Sequence, residues 1–156
     1  MRFIGNIEAK TDAKGRAFLP AQFRKVLQAN GEERIVMKRD VFQQCLVLYP
    51  ESVWNARIDE LNSRLSVWNA KHQMIMRQFM SNVEVLSLDS SGRFLISAQY
   101  RKAANINQEL RFVGMGDVIE VWNNDELNKT MMDQNAFSSE LETLMADNIN
   151  GSGKEE

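Results

Sequence analysis

The sequence predicts a mainly β fold with helices, in which two similar repeats pack into one small barrel. Three observations predict it: an internal repeat, a polar hairpin turn at the same place in each copy, and the small size of each copy. A unit of about forty residues buries too little apolar surface to be stable alone. We therefore expect the copies to pack around a pseudo-two-fold axis, exchanging hairpins and sharing their final strands.

The repeat emerges when the sequence is shifted against itself by 77 residues. This shift gives thirteen identities over residues 12–41, which indicates a duplication. Three identical pairs fall in the turn itself, namely Asp12/Asp89, Gly15/Gly92 and Arg16/Arg93.

The turn in each copy has the composition of a tight hairpin. It reads Asp-Ala-Lys-Gly-Arg over residues 12–16 and Asp-Ser-Ser-Gly-Arg over residues 89–93. Aspartate favours such turns because its carboxylate accepts hydrogen bonds from the backbone that follows it. Glycine supplies the positive φ of a hairpin with a bulge. The arginine after the glycine is expected at the hairpin edge, pointing away from the core.

The same elements are predicted in both copies: a strand before the turn, a short strand after it, a short helix and a final pair of strands. Pro20 is expected to open the first short helix and Ser97 to cap the second. The predicted short helices are 21–28 and 98–104, and the predicted later strands are 34–38, 46–49, 110–114 and 118–122.

Further helices are predicted between and after the copies. A second linking helix is expected over 70–80, and a C-terminal helix over 134–145. The first linking helix is predicted from an apolar stripe at helical spacing, which consists of Trp54, Ile58, Leu61, Leu65 and Trp68.

The chain is thus expected to divide into five segments. These are a first repeat at 1–50, a linking helical segment at 51–81, a second repeat at 82–128, a C-terminal helix at 129–147 and a flexible tail at 148–156.

Composition indicates an ordinary globular protein of 156 residues, 44% apolar and 26% charged. The sequence has no apolar run near the roughly twenty residues that span a bilayer. Met1–Gly5 leads into strand-like sequence without an apolar signal core, so we expect a cytoplasmic protein.

Charge is unevenly distributed although the net charge is only −2. Residues 9–39 carry eight cationic against three acidic side chains, a net +5, whereas residues 117–156 carry two against ten, a net −8. A local basic patch can bind phosphates even on an acidic protein. The same charges could equally be solvated faces, and the totals alone leave both interpretations open.

Catalytic chemistry has no support in the sequence. Cys45 lies in an apolar run and has no second cysteine, which indicates a buried, inert thiol. His72 has no second ligand at metal-binding spacing. No phosphate-binding glycine-rich loop is present. We expect no catalytic residue, metal, cofactor or small-molecule substrate.

The basic hairpins remain as the candidate functional feature. Their edges carry Lys14, Arg16 and Arg93, flanked by Lys10 and by helix residues including Arg24 and Lys25. A two-stranded ribbon fits the DNA major groove, where arginine reads guanine and lysine or arginine contacts phosphates. Alternatively, the two hairpin arginines pair with the aspartates of their own turns and only stiffen them.

The residues Asp12–Pro20, their counterpart Asp89–Ser97, and Leu48-Tyr49-Pro50 with Trp54 resemble the MraZ family. The resemblance covers about residues 1–145. It implies a swapped-hairpin barrel related to AbrB and MazE, a bacterial cytoplasmic and nucleoid-associated protein, and assembly into closed homo-oligomeric rings. It also implies sequence-specific binding of double-stranded DNA at short direct repeats in its own promoter, and regulation of the division and cell-wall gene cluster.

Carried over by residue, Lys14 and Arg16 match the DNA-contacting loop of the family, and Arg93 matches the second motif. The second copy has Ser91 in place of Lys14 and Ser97 in place of Pro20, so we expect the first hairpin to bind DNA more strongly. An alternative function is an antitoxin-like module that captures a protein partner through the acidic segment 117–156.

Overall fold

The computed structural model describes the backbone of residues 1–155 and the side chains of residues 1–146. The strands are β1 Asn6–Lys10, β2 Arg16–Phe18, β3 Ile35–Arg39, β4 Leu46–Pro50, β5 Val83–Leu86, β6 Arg93–Leu95, β7 Glu109–Gly114 and β8 Ile119–Trp122. The helices are α1 Ala21–Ala29, α2 Glu51–Arg64, α3 Ala70–Ser81, α4 Ala98–Ala103, α5 Asn124–Asn128 and α6 Gln134–Glu155. The chain forms two compact units, Met1–Glu126 and Leu127–Glu156.

The strands of the first unit interleave the two repeats. Six of them form one antiparallel sheet in the order β1-β7-β8-β4-β3-β5. A two-fold operation that exchanges the repeats maps this order onto itself, because β1, β3 and β4 correspond to β5, β7 and β8. Each repeat therefore lends its first strand to the other, and β4 pairs with β8 at the centre, from Leu46 opposite Val121 to Leu48 opposite Ile119.

The remaining strands, β2 and β6, pair antiparallel as a separate two-stranded ribbon. Their central residues, Ala17 and Phe94, are buried and join the same apolar cluster as Phe112 and Val121 of the large sheet. The large sheet is open, with β1 and β5 at its edges, so the described strands do not close into one hydrogen-bonded barrel. The expected two-repeat fold of strands and helices is present, whereas barrel closure is not observed.

The linking helices attach to this core through aromatic side chains. Trp54 of α2 stacks on Phe79 of α3, with ring centroids 5.5 Å apart and planes 4° apart, and meets Tyr49 edge-on. Lys38 of β3 is buried beneath them. Its Nζ donates to the Phe79 carbonyl at 2.8 Å and lies 4.7 Å from the Phe79 ring centroid. Burial lowers the pKa of this lysine.

Two details of the linking region differ from the sequence prediction. The helix α2 ends at Arg64, and Leu65 is extended, so the apolar stripe does not continue to Trp68. Trp68 lies in the turn before α3 and is 93% exposed. The helical spacing of these residues was misleading because Asn69 starts a new helix, its side chain accepting hydrogen bonds from the amides of Lys71 and His72.

Ser97 occupies the predicted N-cap position before α4, but its side chain makes no cap hydrogen bond. The Ser97 hydroxyl is buried without a hydrogen-bond partner among the described residues. The short helix α5 carries no apolar stripe and was not predicted.

The second unit contains α6, whose first turn is capped by Asp133 accepting from the amide of Ala136 at 2.9 Å. The helix extends beyond the predicted end at residue 145. The tail predicted at 148–156 lies outside the residues whose side chains are described, and its flexibility stays a prediction. Among the described residues, no helix is long and apolar enough to cross a membrane.

Candidate nucleic-acid interface

The first hairpin is closed by the hydrogen bonds that its sequence predicts. Oδ1 of Asp12 accepts from the backbone amides of Lys14 and Arg16, both at 2.9 Å. The Asp12 amide donates to the Arg16 carbonyl at 2.8 Å, and the Gly15 amide donates to the Asp12 carbonyl at 3.0 Å. Gly15 has a φ of 87°, the left-handed conformation that favours glycine.

The second hairpin repeats this geometry almost bond for bond. Oδ1 of Asp89 accepts from the amides of Ser91 and Arg93 at 2.9 Å, and Gly92 has a φ of 85°. The local structure depends on the aspartate and the glycine, which the copies share. It does not depend on the second and third turn residues, which differ.

Each hairpin arginine also pairs with the aspartate of its own turn. The Nε atom of Arg16 lies 2.8 Å from Oδ2 of Asp12, and that of Arg93 lies 2.9 Å from Oδ2 of Asp89. In both turns the aspartate pKa is lowered, mainly by the hydrogen bond that its carboxylate accepts from the arginine backbone amide. The arginine guanidinium lowers this pKa further. The arginine–aspartate pairing that was the alternative to DNA contact is therefore present.

Each ion pair involves the Nε atom of the guanidinium and not its two terminal nitrogens. In the described part of the chain, Arg16 and Arg93 form side-chain hydrogen bonds through Nε, and their side chains are 34% and 29% exposed. A guanidinium held at Nε keeps its terminal nitrogens in a fixed orientation, ready to donate to a phosphate or a base edge. The ion pair thus orients each arginine without preventing a contact with a ligand.

The β2–β6 register brings the two arginines onto one surface. Arg16 lies opposite Leu95, and Arg93 lies opposite Phe18, with its guanidinium 5.8 Å from the Phe18 ring centroid. These four side chains form the outer face of the ribbon, because Ala17 and Phe94 between them are buried. We call Arg16, Phe18, Arg93 and Leu95 the ribbon face.

A groove of about 560 Å³ runs along one side of the ribbon face. Lys10 on β1 and Pro20 before α1 line it, together with Arg16, Phe18 and Arg93. The structure thus brings Lys10, Arg16 and Arg93 to one groove, as the sequence analysis expected of a basic surface.

The other predicted residues lie on the first turn and on α1. Lys14 is exposed at the tip of the first turn, and Lys25 is exposed on α1. Arg24 is half-buried instead. Its Nη1 donates to the Leu19 carbonyl at 2.7 Å, and its side chain lies against Gly92 of the second hairpin.

The two repeats brace each other's hairpins. The Leu19 amide donates to the Gly92 carbonyl at 3.0 Å, and the Ile96 amide donates to the Gly15 carbonyl at 2.9 Å. Arg101, the counterpart of Arg24, lies against Gly15, and its buried Nε has no partner among the described residues. The two hairpins are therefore held in a fixed relation to one another.

Phe18 and Leu95 are functional candidates that the sequence analysis did not single out as such. Each comes two residues after a hairpin arginine, and side chains two apart share a face of a strand. That spacing was the available signal.

Residues suited to catalysis do not converge in the described part of the chain. No group of three or more His, Cys, Asp or Glu residues there could hold a metal ion. His72 accepts a hydrogen bond at Nδ1 from the Ser66 amide, 2.9 Å away. Cys45 is fully buried, and burial raises the pKa of its thiol far above the ordinary value.

Comparison with known proteins gives a consistent result. The family model described as "MraZ protein, putative antitoxin-like" matches twice, at residues 3–78 and 79–148. A protein of Phocaeicola vulgatus named Transcriptional regulator MraZ is 53% identical over 150 residues, covering 96% of this chain and 97% of its own length. Proteins with the same name from Bacteroides thetaiotaomicron and Geobacter sulfurreducens are 52% and 34% identical, covering 94% and 91% of this chain and 94% and 96% of their own lengths.

Proposed function

We propose that this chain, which belongs to the MraZ family and is a transcriptional regulator, binds double-stranded promoter DNA through its two hairpins. The observation that carries this proposal is the ribbon face. It presents two arginines, each oriented by its own turn aspartate, on one two-stranded ribbon. A two-stranded ribbon fits the major groove, and oriented guanidiniums can donate to guanine or to phosphate.

The contact residues proposed are Arg16, Arg93, Lys14, Lys10 and Lys25, with Arg24 placed beside the second hairpin. Four of these cations surround the first hairpin and the groove, whereas the second turn offers Ser91 where the first has Lys14. We therefore assign the stronger contact to the first hairpin. Arg24 supports binding by bracing Gly92, since its Nη1 is already bonded to the Leu19 carbonyl.

We also propose that the eight strands act as a swapped-hairpin barrel of the AbrB and MazE type. Support comes from the exchanged pairs β1–β7 and β3–β5, and from the ribbon, whose Ala17 and Phe94 pack on the same apolar cluster as the large sheet. Such a barrel would hold both hairpins on one rigid body.

Assembly into a homo-oligomeric ring forms a further part of the proposal. The linking region presents apolar side chains that are largely exposed in the single chain, including Val67, Trp68, Met74 and Ile75. Several large apolar side chains exposed within one short segment favour a protein interface there. A ring would display several ribbon faces at once, and the linked contacts would bind repeated DNA sites with high avidity.

The proposed target is a set of short direct repeats in the promoter of its own gene, within the division and cell-wall gene cluster. The site of action would be the cytoplasm, in association with the nucleoid. Repeated operator sites suit a ring that displays one ribbon face on each subunit.

Fluorescence anisotropy with duplex DNA from upstream of the gene, measured over a range of salt, tests the proposal. Arg16→Ala should weaken binding by roughly 5- to 150-fold and reduce the salt slope by about one. Arg93→Ala should have a smaller effect. The matched control is Arg64→Ala on α2, which removes an exposed cation whose pairing with Glu60 is loose, at 3.5 Å.

Circular dichroism and particle size should be unchanged in all three variants. Full promoter binding by both Arg16→Ala and Arg93→Ala would show that the hairpins are not the contact surface.

A second candidate is capture of a protein partner by the acidic segment 117–156. Its net charge of −8 and the antitoxin-like description of the family favour it. Removal of residues 146–156 should then abolish partner capture and leave promoter binding intact. Pull-down with the full and the shortened chain as bait measures this, and equal capture by both would contradict it.

A further inference from the structure

The ribbon face carries two apolar side chains as well as two arginines. Phe18 is 55% exposed and Leu95 is 46% exposed, although both lie on strands of only three residues beside the core. Register places each apolar side chain directly opposite an arginine of the other strand. On the outer surface of the ribbon, cationic and apolar side chains therefore alternate both along each strand and across the pair of strands.

This arrangement occurs twice. Phe18 and Leu95 are 77 residues apart and occupy the same position of the two repeats, so both copies place an exposed apolar side chain there. A single exposed apolar residue on a protein surface requires no explanation. Two at equivalent positions, on the face that holds both hairpin arginines, point to a shared ligand.

The Phe18 ring is also held in place. Arg93 lies over it at 5.8 Å from the ring centroid, and the same ring lines the groove that Pro20 also lines. A ring that already contacts a guanidinium loses less freedom than an unsupported ring when a ligand covers it.

The ligand must be anionic and must offer small apolar groups between its charges. Asp12 and Asp89 offset the charge of the two arginines, so the positive charge beside the ribbon face comes from Lys10 and Lys14. Glu8, which lines the same groove, is paired with Arg111. Duplex DNA meets both requirements in the major groove, where thymine alone presents a C5-methyl group and phenylalanine is a suitable contact for it.

We propose that Phe18 and Leu95 are specificity-determining residues that contact thymine methyl groups in the major groove. The inference depends on the proposed DNA-binding function. It adds that the operator contains thymines at two positions related by the pseudo-two-fold axis, which the ribbon reads by apolar contact.

Uracil substitution tests this directly, because uracil pairs as thymine does but lacks the methyl group. Promoter duplexes with single thymine-to-uracil replacements are titrated with the wild-type protein. Affinity should fall about threefold to fourfold at the contacted positions, the effect of one buried methyl-sized group. Replacements elsewhere in the duplex should have no effect.

Protein variants then assign the contact. At one of the contacted positions, Phe18→Ser should bind the thymine and uracil duplexes equally. Its affinity for the thymine duplex should be as low as that of the wild type for the duplex with uracil at this position. Leu95→Ser should do the same at the other position. Phe18→Leu should restore most of the discrimination. The control Phe42→Ser removes a phenylalanine that is 92% exposed but lies outside the ribbon, and should behave as wild type.

The outcomes separate the two levels of the proposal. If the wild type binds the promoter but Phe18→Ser keeps the uracil sensitivity, the methyl contact is wrong and the DNA-binding function stands. If Phe18→Ser changes the oligomeric state in sedimentation and leaves base discrimination intact, the ribbon face contacts a second copy instead. If the wild type shows no specific binding, the proposed function fails and this inference with it.

Discussion

Arg24 and Arg101 occupy equivalent places in the two repeats, and each lies against the glycine of the other repeat's hairpin. A β-carbon at Gly92 would approach Nη1 of Arg24 to 2.6 Å, and one at Gly15 would approach Cζ of Arg101 to 2.9 Å. Both glycines have positive φ as well. At the residue scale, these positions therefore need glycine for the turn itself and for the arginine packed on it.

Gly92→Ala should separate the conformational requirement of the turn from the steric requirement of the packed Arg24. The substitution should displace the Arg24 side chain and break its bond to the Leu19 carbonyl, in addition to straining the backbone. The control is Gly31→Ala, where φ is +66° and no atom lies within 4 Å of the added carbon. The strain alone should cost about 1–2 kcal/mol at Gly31, and Gly92→Ala should cost about 1 kcal/mol more.

Urea unfolding of both variants measures the difference. In an Arg24→Ala background the excess at Gly92 should disappear, because the displaced side chain is absent. Equal costs at Gly31 and Gly92 in the wild-type background would show that the Arg24 contact contributes nothing.

At the scale of elements, the linking helices are fixed to the sheet by a short aromatic stack. The Phe79 ring contacts both Trp54 and the Lys38 ammonium, and the Phe79 carbonyl accepts a hydrogen bond from Nζ of that lysine. The rest of α3 contributes no fully buried residue, so its position depends strongly on this one side chain.

Phe79→Ala should therefore loosen α3 without unfolding the sheet. We expect a loss of about 2–3 kcal/mol, below that of a fully buried phenylalanine because the ring is half-buried. Near-ultraviolet circular dichroism should weaken as the Trp54 stack is lost. Gln78→Ala on the same helix is the control, since Gln78 is exposed and its substitution should change stability by less than about 0.5 kcal/mol. A similar cost for both variants would refute the anchoring role.

At the scale of the whole molecule, the two repeats are not separable domains. The pairs β1–β7, β3–β5, β4–β8 and β2–β6 each join one repeat to the other. Within a repeat, the strand pairs among the described residues are β3–β4 and β7–β8, and a single bridge joins Thr11 to Ala17. The duplication is visible in the sequence as two consecutive repeats, but within the unit Met1–Glu126 the two repeats interlock.

Residues 1–78 or 79–148 expressed alone should accordingly fail to fold as monomers. Each fragment retains one strand pair, β3–β4 or β7–β8, and loses the pairs that join the repeats, which leaves too little structure for independent stability. Far-ultraviolet circular dichroism combined with sedimentation measures this. Mixing the fragments, or self-pairing of one of them, should restore the strand signal. A monomeric fragment with cooperative unfolding would contradict the interlocked description.

Much of this structure could be predicted from the sequence, because its signals are local. The turn bonds of Asp12 and Asp89, the positive φ at Gly15 and Gly92, and the start of α1 after Pro20 all depend on neighbours within a few residues. Local signals failed where a different element intervened. Trp68 fitted the helical spacing, yet Asn69 starts a new helix and leaves it exposed.

By itself, the sequence determined the duplication, the two hairpins and the arginine at each hairpin edge. The tertiary structure alone decided that Arg16 and Arg93 share one face, and that each lies opposite an apolar side chain, Leu95 or Phe18. The physical reason is that a turn is specified by its own residues, whereas the partner and register of a strand depend on residues some 77 positions away. The pairing of β2 with β6 brings two separate basic turns onto one surface.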